Sequence, residues 1–435
     1  MKPFIQPCLV QPIAFTRHSL FARLIVFAWM FTPLNFLSAQ QPGTPWQANP
    51  EQVAKDSKRN PQFIYDEANV PSFVLPDPLK MTDGSPVTSA QQWNKGRRDE
   101  LLELFRSEVY GHRPETEFAV RFEILSERDD LFAGLATGRD MQAIITIDGR
   151  SFKFPFTAFI PNSAKRKAPV IVLINNRHAS SVQTVADQGD PIWPVQKLIE
   201  QGYATAAFHT SDVDPDSKDG YANGIRSFFA NGQPPQNDAW RSLSAWGWGG
   251  SRVLDYMVSQ PEVDSSRAAI AGHSRAGKTA LWAAAEDPRF SIAYSNDSGC
   301  GGAALSRRRF GETVSRITTA FPHWFSKNFD AYGEQEDKLP VDQHELFALI
   351  APRAVYVASA DLDLWADPKG EYAAVVAAAP VYQLLGEPSI TESQMPALET
   401  PRYVGKTGYH VRRGAHALSP LDWQFFLDFA ATQWR

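Results

Sequence analysis

Between residues 169 and 358 the chain returns five times to a short, predominantly apolar run, at 169–174, 204–208, 268–271, 291–295 and 354–358, with no polar alternation. A strand with one wet face alternates apolar and polar residues, so runs of this kind must be covered on both sides. Helical segments separate the runs, which predicts a parallel sheet carried between two layers of helices. Ahead of them, residues 119–125, 141–147 and 152–160 alternate, as successive antiparallel strands do. The fold class is therefore α/β, a three-layer sandwich with a mostly parallel central sheet.

Antiparallel strands leading into a β/α alternation is the order of an α/β-hydrolase, and residues 116–435 are assigned to that catalytic domain. Residues 40 to about 90 are rich in proline, asparagine and charge without a sustained period, and read as an arm over the main body. Leu101, Leu102, Leu104, Phe105 and Val109 then fall at helical spacing and stop at Gly111, so 40–115 forms an N-terminal arm and helix packed on the domain. The first 39 residues carry Lys2, Arg17 and Arg23 without an acid, then an apolar stretch ending at Ser38-Ala39. Pro33 and Asn35 interrupt that stretch below the ~20 residues needed to span a bilayer. A secretory signal peptide cleaved near Ala39 is the expectation, and with it a secreted or periplasmic protein.

With 43% hydrophobic residues among 435, the chain can bury a large core, which excludes disorder for most of it. Loss of the leader leaves 40 basic against 48 acidic residues, a formal −8. Such a balance argues against nucleic acid or an anionic membrane as partner. Cys8 would leave with the leader, so Cys300 has no intramolecular partner; flanked by glycines, it reads as a small buried residue. The acid run Asp212, Asp214, Asp216, Asp219 lacks the closing glutamate of a calcium loop and reads as solvated loop. No metal or organic cofactor is expected, and a monomer is the default.

Chemistry enters at Gly272-His273-Ser274-Arg275-Ala276-Gly277-Lys278. A short strand breaks at Gly272 and a helix begins directly after, which holds the Ser274 hydroxyl out at a strand-to-helix corner as a nucleophile. The second glycine comes three residues after the serine instead of two, and Arg275 follows at once. Its guanidinium and backbone N–H could both serve a developing oxyanion. A serine nucleophile needs a base and an orienting acid, in the chain order Ser, Asp or Glu, His. Downstream histidines are His323, His344, His410 and His416. His416 sits in a glycine-containing turn before the last helix and is the expected base, with His410 its main competitor. For the acid, Asp297 ends one strand while Asp361 and Asp363 end the next. Either strand end can reach the last loop, and each aspartate could instead cap a turn.

Beyond the serine motif, Asn296-Asp297-Ser298-Gly299-Cys300-Gly301-Gly302, Gly311-Glu312-Thr313, Pro322-His323-Trp324-Phe325, Leu339-Pro340-Val341-Asp342-Gln343-His344 and Trp365-Ala366-Asp367-Pro368-Lys369-Gly370-Glu371 occur in one order. Together these strings resemble the bacterial glucuronoyl esterases of carbohydrate esterase family 15, over most of residues 93–434. The resemblance implies Ser274 as nucleophile, Arg275 as oxyanion donor and His416 as base. It carries both acid positions, Asp297 where the family commonly has a glutamate and Asp363 where some bacterial members place theirs, with Asp297 slightly ahead. It places Lys278, Glu312 and Trp365 around a uronic acid. It also implies a cysteine partner for Cys300 at position 326, where this chain has Ser326 and so forms no bridge. The expected substrates are esters of (4-O-methyl-)glucuronic acid joining glucuronoxylan to lignin alcohols. An acetylxylan-type esterase and a non-catalytic polysaccharide-binding scaffold are the alternatives.

Overall fold

The computed structural model describes residues 43–162 and 166–435; the expected signal peptide lies outside them. Ten strands form one sheet in the order β1-β2-β3-β5-β4-β6-β7-β8-β10-β9. They are β1 (Ala119–Asp130), β2 (Ala136–Ile147), β3 (Arg150–Pro161), β4 (Ala168–Asn175), β5 (Ala204–His209), β6 (Val263–His273), β7 (Phe290–Asn296), β8 (Ala354–Ala360), β9 (Arg402–Val404) and β10 (Thr407–Arg412). The six strands from β5 to β10 across the centre run parallel, while β1, β2, β3 and the short β9 extend the two edges antiparallel.

The two-sided burial predicted from the apolar runs is visible residue by residue. Val170, Val172 and Ile174 of β4 enter one core, and Ile171 and Leu173 enter the other. Neighbouring β6 divides in the same way, Ile270 on one side and Ala269 and Ala271 on the opposite side. Helices Ser242–Ser259, Arg275–Glu286 and Gln343–Ile350 cover the first face, and Val195–Glu200 with Pro420–Gln433 cover the second. Among the described residues no helix is long and apolar enough to cross a membrane.

The chain passes from β4 to β5 on one side and then to β6 on the other, so strand order reverses between β4 and β6. At such a reversal the connections diverge and leave a crevice beyond the strand ends. Ser274 stands at the C-terminal end of β6, at that crevice.

Residues 43–89 hold more structure than their composition suggested. Helix α1 (Pro50–Arg59) has no buried residue, but Asn49 caps it by accepting from the Glu51 N–H and Pro50 opens its first turn. The arm is tied down by Trp46 N–H to Pro396 O (3.1 Å), a bridge between Ile64 and Phe310, and His344 Nε2 to Pro76 O (2.9 Å). Downstream, the helical stretch ends at Gly111 as its spacing predicted, with φ at +84°.

Candidate active site

Ser274 has φ 60° and ψ −126°, a conformation that costs a non-glycine residue about 1–3 kcal/mol. The corner is held by the Ser274 N–H on Asn296 O (2.8 Å) and by the Gly277 N–H on Ser274 O (2.9 Å). Gly272 is required here: a Cβ at that position would lie 2.1 Å from Ala276 O. Helix Arg275–Glu286 starts immediately after the serine, so its first N–H groups face the same space.

One cavity of about 260 Å3 is lined by Ser274, Arg275, Lys278, Asp297, Glu312, Asp363, Trp365 and His416, while Asp361 and the competing histidines lie outside it. Phe321, Trp324 and Ser298 complete the wall. These residues come from the ends of β6, β7, β8 and β10 and from the loops after them, which is why they are scattered over more than 140 positions.

His416 Nδ1 lies 2.6 Å from Asp363 Oδ2, and its side chain is 38% exposed. Asp297, fully buried, instead presents Oδ2 to Arg412 (3.4 Å) and to the Ala417 N–H (3.3 Å). Burial, reinforced by the nearby Asp363 carboxylate, pushes the Asp297 carboxyl well above the usual range, with Arg412 pulling the other way. Donor atoms of Asp297, Asp363 and His416 lie within 4.8 Å of one another, a spacing that a metal ion could use. That donor set fits a cation poorly, because Asp363 already holds the His416 ring and the Arg412 guanidinium already stands beside Asp297.

The competing histidines are engaged elsewhere. His410, buried in β10, has Nδ1 on the Tyr356 hydroxyl (2.7 Å) and Nε2 on Asp422 (2.9 Å). His344 reaches Pro76 O, and His323 Nε2 is 2.9 Å from Asp216. His273 Nε2 accepts from Arg177 (2.9 Å), so its proton sits on Nδ1 and is donated to Asn296 Oδ1 (2.6 Å). Burial, helped by the neighbouring His416, holds His273 down to about 3, neutral at any working pH.

The acid run after β5 is not the solvated loop that its composition suggested. Asp214 is fully buried, paired to Arg226 (2.9 Å) and accepting from Ser242 Oγ (2.6 Å). Asp216 holds the Arg275 guanidinium in an ion pair and accepts from His323 Nε2 (2.9 Å) and Trp324 Nε1 (2.8 Å). Burial alone would raise this carboxyl; the His323 and Trp324 hydrogen bonds and the Arg275 charge bring it down to about 2. Arg275 also lies over Trp324 at 4.7 Å and Phe321 at 5.6 Å, and its buried Nε–H has no acceptor among the described residues. The signal for Asp216 was its place at a parallel strand's C-terminal end, where such folds gather their functional groups.

Lys278 is 4% exposed and donates to Ser298 O and to Cys300 O (2.6 Å), with Glu312 Oε2 3.6 Å away. A buried ammonium without such acceptors would be costly. Burial raises the Glu312 carboxyl, and Lys278 and a hydrogen bond with Trp365 oppose that shift. Trp365 is braced from the arm by Phe63, edge to face at 4.8 Å and 88°. The Cys300 thiol, buried and free, is pushed well above its usual value by burial, which suits packing and not nucleophilic attack. Ser326 is fully buried, its Oγ without a hydrogen-bond partner among the described residues.

A strained serine at a strand-to-helix corner, with a histidine and a carboxylate on the last two strand-end loops, defines the chain as an α/β-hydrolase. The sequence model of the family described as "Glucuronyl esterase, fungi" matches residues 144–386. The chain is 38% identical over 418 residues to a carbohydrate esterase from an unknown prokaryotic organism, covering 89% of this chain and 95% of that one. It is 30% identical to the 4-O-methyl-glucuronoyl methylesterase of Schizophyllum commune, over 72% of this chain and 74% of the relative. The solved glucuronoyl esterase from Solibacter usitatus superimposes with a TM-score of 0.79 at 35% identity, over 85% of this chain and 100% of that one. The chain belongs to the glucuronoyl esterase family, carbohydrate esterase family 15.

Proposed function

We propose that this protein is a serine esterase that cleaves esters of (4-O-methyl-)glucuronic acid, the branch sugar of glucuronoxylan, releasing a lignin-type alcohol. The observation that carries the reading is the sharing of one cavity by two sets of groups: Ser274, His416 and Asp363, and Lys278, Glu312 and Trp365. At about 260 Å3 it falls near the lower end of ligand cavities (roughly 300–1,000 Å3), a size suited to a single sugar. An acetyl group would leave Lys278 and Glu312 with nothing to bind.

Asp363 accepts from His416 Nδ1–H and so leaves Nε2 as the acceptor for the Ser274 hydroxyl proton. Ser274 Oγ attacks the C6 carbonyl as that proton moves to His416. The oxyanion is met by Arg275 and by the N–H groups opening helix Arg275–Glu286. His416 returns its proton to the departing alkoxide. Water, deprotonated by His416, then attacks the glucuronoyl-Ser274 ester and frees glucuronic acid and the serine. Two Lys278 protons go to Ser298 O and Cys300 O, and the third, on the Glu312 side, serves a substrate hydroxyl. Glu312 accepts from a neighbouring hydroxyl, and Trp365 covers a face of the ring. Every group this acyl transfer requires is a side chain or backbone N–H of the chain itself.

We further propose that the protein is exported and works outside the cytoplasm, where polymeric xylan is accessible. Initial rates on benzyl glucuronate and on p-nitrophenyl acetate, with Ser274→Ala as the blank, test the reading. Strong glucuronate turnover lost in the variant is expected. Turnover of acetate alone would make the protein a deacetylase, and labelling by neither ester nor a fluorophosphonate probe would make it a binding scaffold.

A further inference from the structure

A second, larger cavity of about 690 Å3 opens beside the first and shares two of its walls, Asp363 and Trp365. Its far side is built by the arm, through α1 and Phe63, and its floor includes Leu362 and Ala415, the residue before His416. Three cations line it: Lys55 and Arg59 on α1, and Arg316 on the helix Val314–Ala320. All three are exposed, and none of them is in an ion pair among the described residues. Two acids stand in the same wall, Asp56 accepting from Gln52 Nε2 (2.8 Å) and Asp363 holding His416. Three cations against two carboxylates leave a positive excess next to the reacting ester, on a chain whose overall charge is −5. Apolar surface lies beside it, in the Phe63–Trp365 pair and in Leu362, which is 45% exposed.

We infer that this groove is a subsite for a carboxylate-bearing neighbour of the scissile ester. This rests on the esterase reading above. Lys55, Arg59 and Arg316 answer the carboxylate, while Phe63 and Leu362 take the flat or apolar body that carries it. Two attachments put a carboxylate there. One is an acidic substituent on the leaving alcohol, whose oxygen must pass His416 next to Ala415. The other is a free uronate further along the glycan, whose esterified sugar lies against Trp365.

The test compares the native enzyme with Lys55→Gln/Arg59→Gln, a pair of exposed helix positions where glutamine keeps helix propensity. Arg316 is left in place because its charge also acts on Glu312. Substrates are methyl glucuronate, benzyl glucuronate against 4-carboxybenzyl glucuronate, and an oligosaccharide carrying one esterified uronate with and without a second, free one. Each exposed charge contact is weak and salt-screened. The double variant should therefore lose roughly 2- to 30-fold in kcat/KM on a carboxylated substrate at low salt, and much less at about 0.5 M salt. Methyl and benzyl glucuronate should be unaffected. Loss confined to the carboxybenzyl ester assigns the carboxylate to the alcohol, and loss confined to the acidic oligosaccharide assigns it to the glycan. Equal loss on neutral and acidic substrates, or loss on none, overturns the subsite while leaving the esterase intact. A native enzyme inactive on methyl glucuronate would instead remove the esterase reading, and the subsite with it.

Discussion

Asp363 Oδ2 stands 2.6 Å from His416 Nδ1, whereas Asp297, the other carboxylate of the cavity, turns to Arg412 and the Ala417 N–H. Two acids that both reach the last loop thus have different partners. Burial and the neighbouring Asp363 carboxylate push the Asp297 carboxyl well above the usual range, and only Asp363 touches the imidazole. Asp363→Asn should lower kcat by on the order of 10⁴, the scale of losing the orienting carboxylate of a triad. Asp297→Asn keeps the shape of a side chain that makes no hydrogen bond to His416 and should cost on the order of tenfold at most. The reverse ranking, in single-turnover kinetics, would transfer the role to Asp297.

Arg275 is aimed by Asp216 and flattened against Trp324. Arg275→Ala should lower kcat by on the order of 10² to 10³, with KM little changed. Asp216→Asn should reproduce part of that loss, and adding it to Arg275→Ala should cost nothing more, because the two residues act as one unit. Additive losses in the double variant would show that Asp216 does not work through Arg275.

Phe63 touches Trp365 edge-on and lines only the outer cavity. An aromatic pair of this kind is worth about 0.5–1.5 kcal/mol, so Phe63→Ala should raise KM on a glucuronate ester by roughly 2- to 12-fold and spare kcat. A fall in kcat at constant KM would place Phe63 nearer the chemistry than its contacts suggest.

Glu371, fully buried behind the cavity, is raised to about 8, chiefly by burial. Its Oε1 accepts from the Ser298 and Gly299 N–H groups (both 2.8 Å), and its Oε2 meets Ser359 Oγ (2.5 Å). With Glu371 ionised, Ser359 Oγ donates to Oε2 and accepts from the Tyr409 hydroxyl; protonation on Oε2 turns both hydroxyls round, with Pro368 O (2.9 Å) ready to accept from Tyr409 instead. Against 4.5 in the unfolded chain, the folded state keeps this proton longer, so stability is full below about pH 4.5 and drains as pH rises through 8. Glu371→Gln supplies the same acceptor and a permanent donor. The variant's Tm should gain on the native Tm steadily between pH 5 and 9, and a pH-independent difference would refute the buried proton.

The central strands could be read because burial on both faces writes itself as predominantly apolar runs, as in β4 and β7. The strand β10 could not: Gly408, His410 and Arg412 interrupt it, and each is there for a neighbour distant in sequence. Gly408 passes so close to Tyr356 that a Cβ would lie 2.4 Å from its ring, His410 bridges Tyr356 and Asp422, and Arg412 pairs with Asp422 and Asp297. Helix α1 was hidden for another reason, having a cap and an opening proline but no buried stripe. Within the site, Ser274 announces itself through purely local geometry. Asp216 does not, since its meaning depends on Arg275, 59 positions later. The choice between Asp297 and Asp363 depends on which strand end points at His416, which spacing along the chain leaves undetermined.

Phe63 gives the arm a bearing on where the working enzyme begins. A polypeptide started at Trp93 would keep the sheet, the elbow and every charged group of the inner cavity, yet lose one side of the wall that supports Trp365. The arm thus shapes the substrate wall by packing alone, its Trp46, Tyr65 and Val87 anchored in the main core while the hydrolytic groups come from elsewhere in the chain.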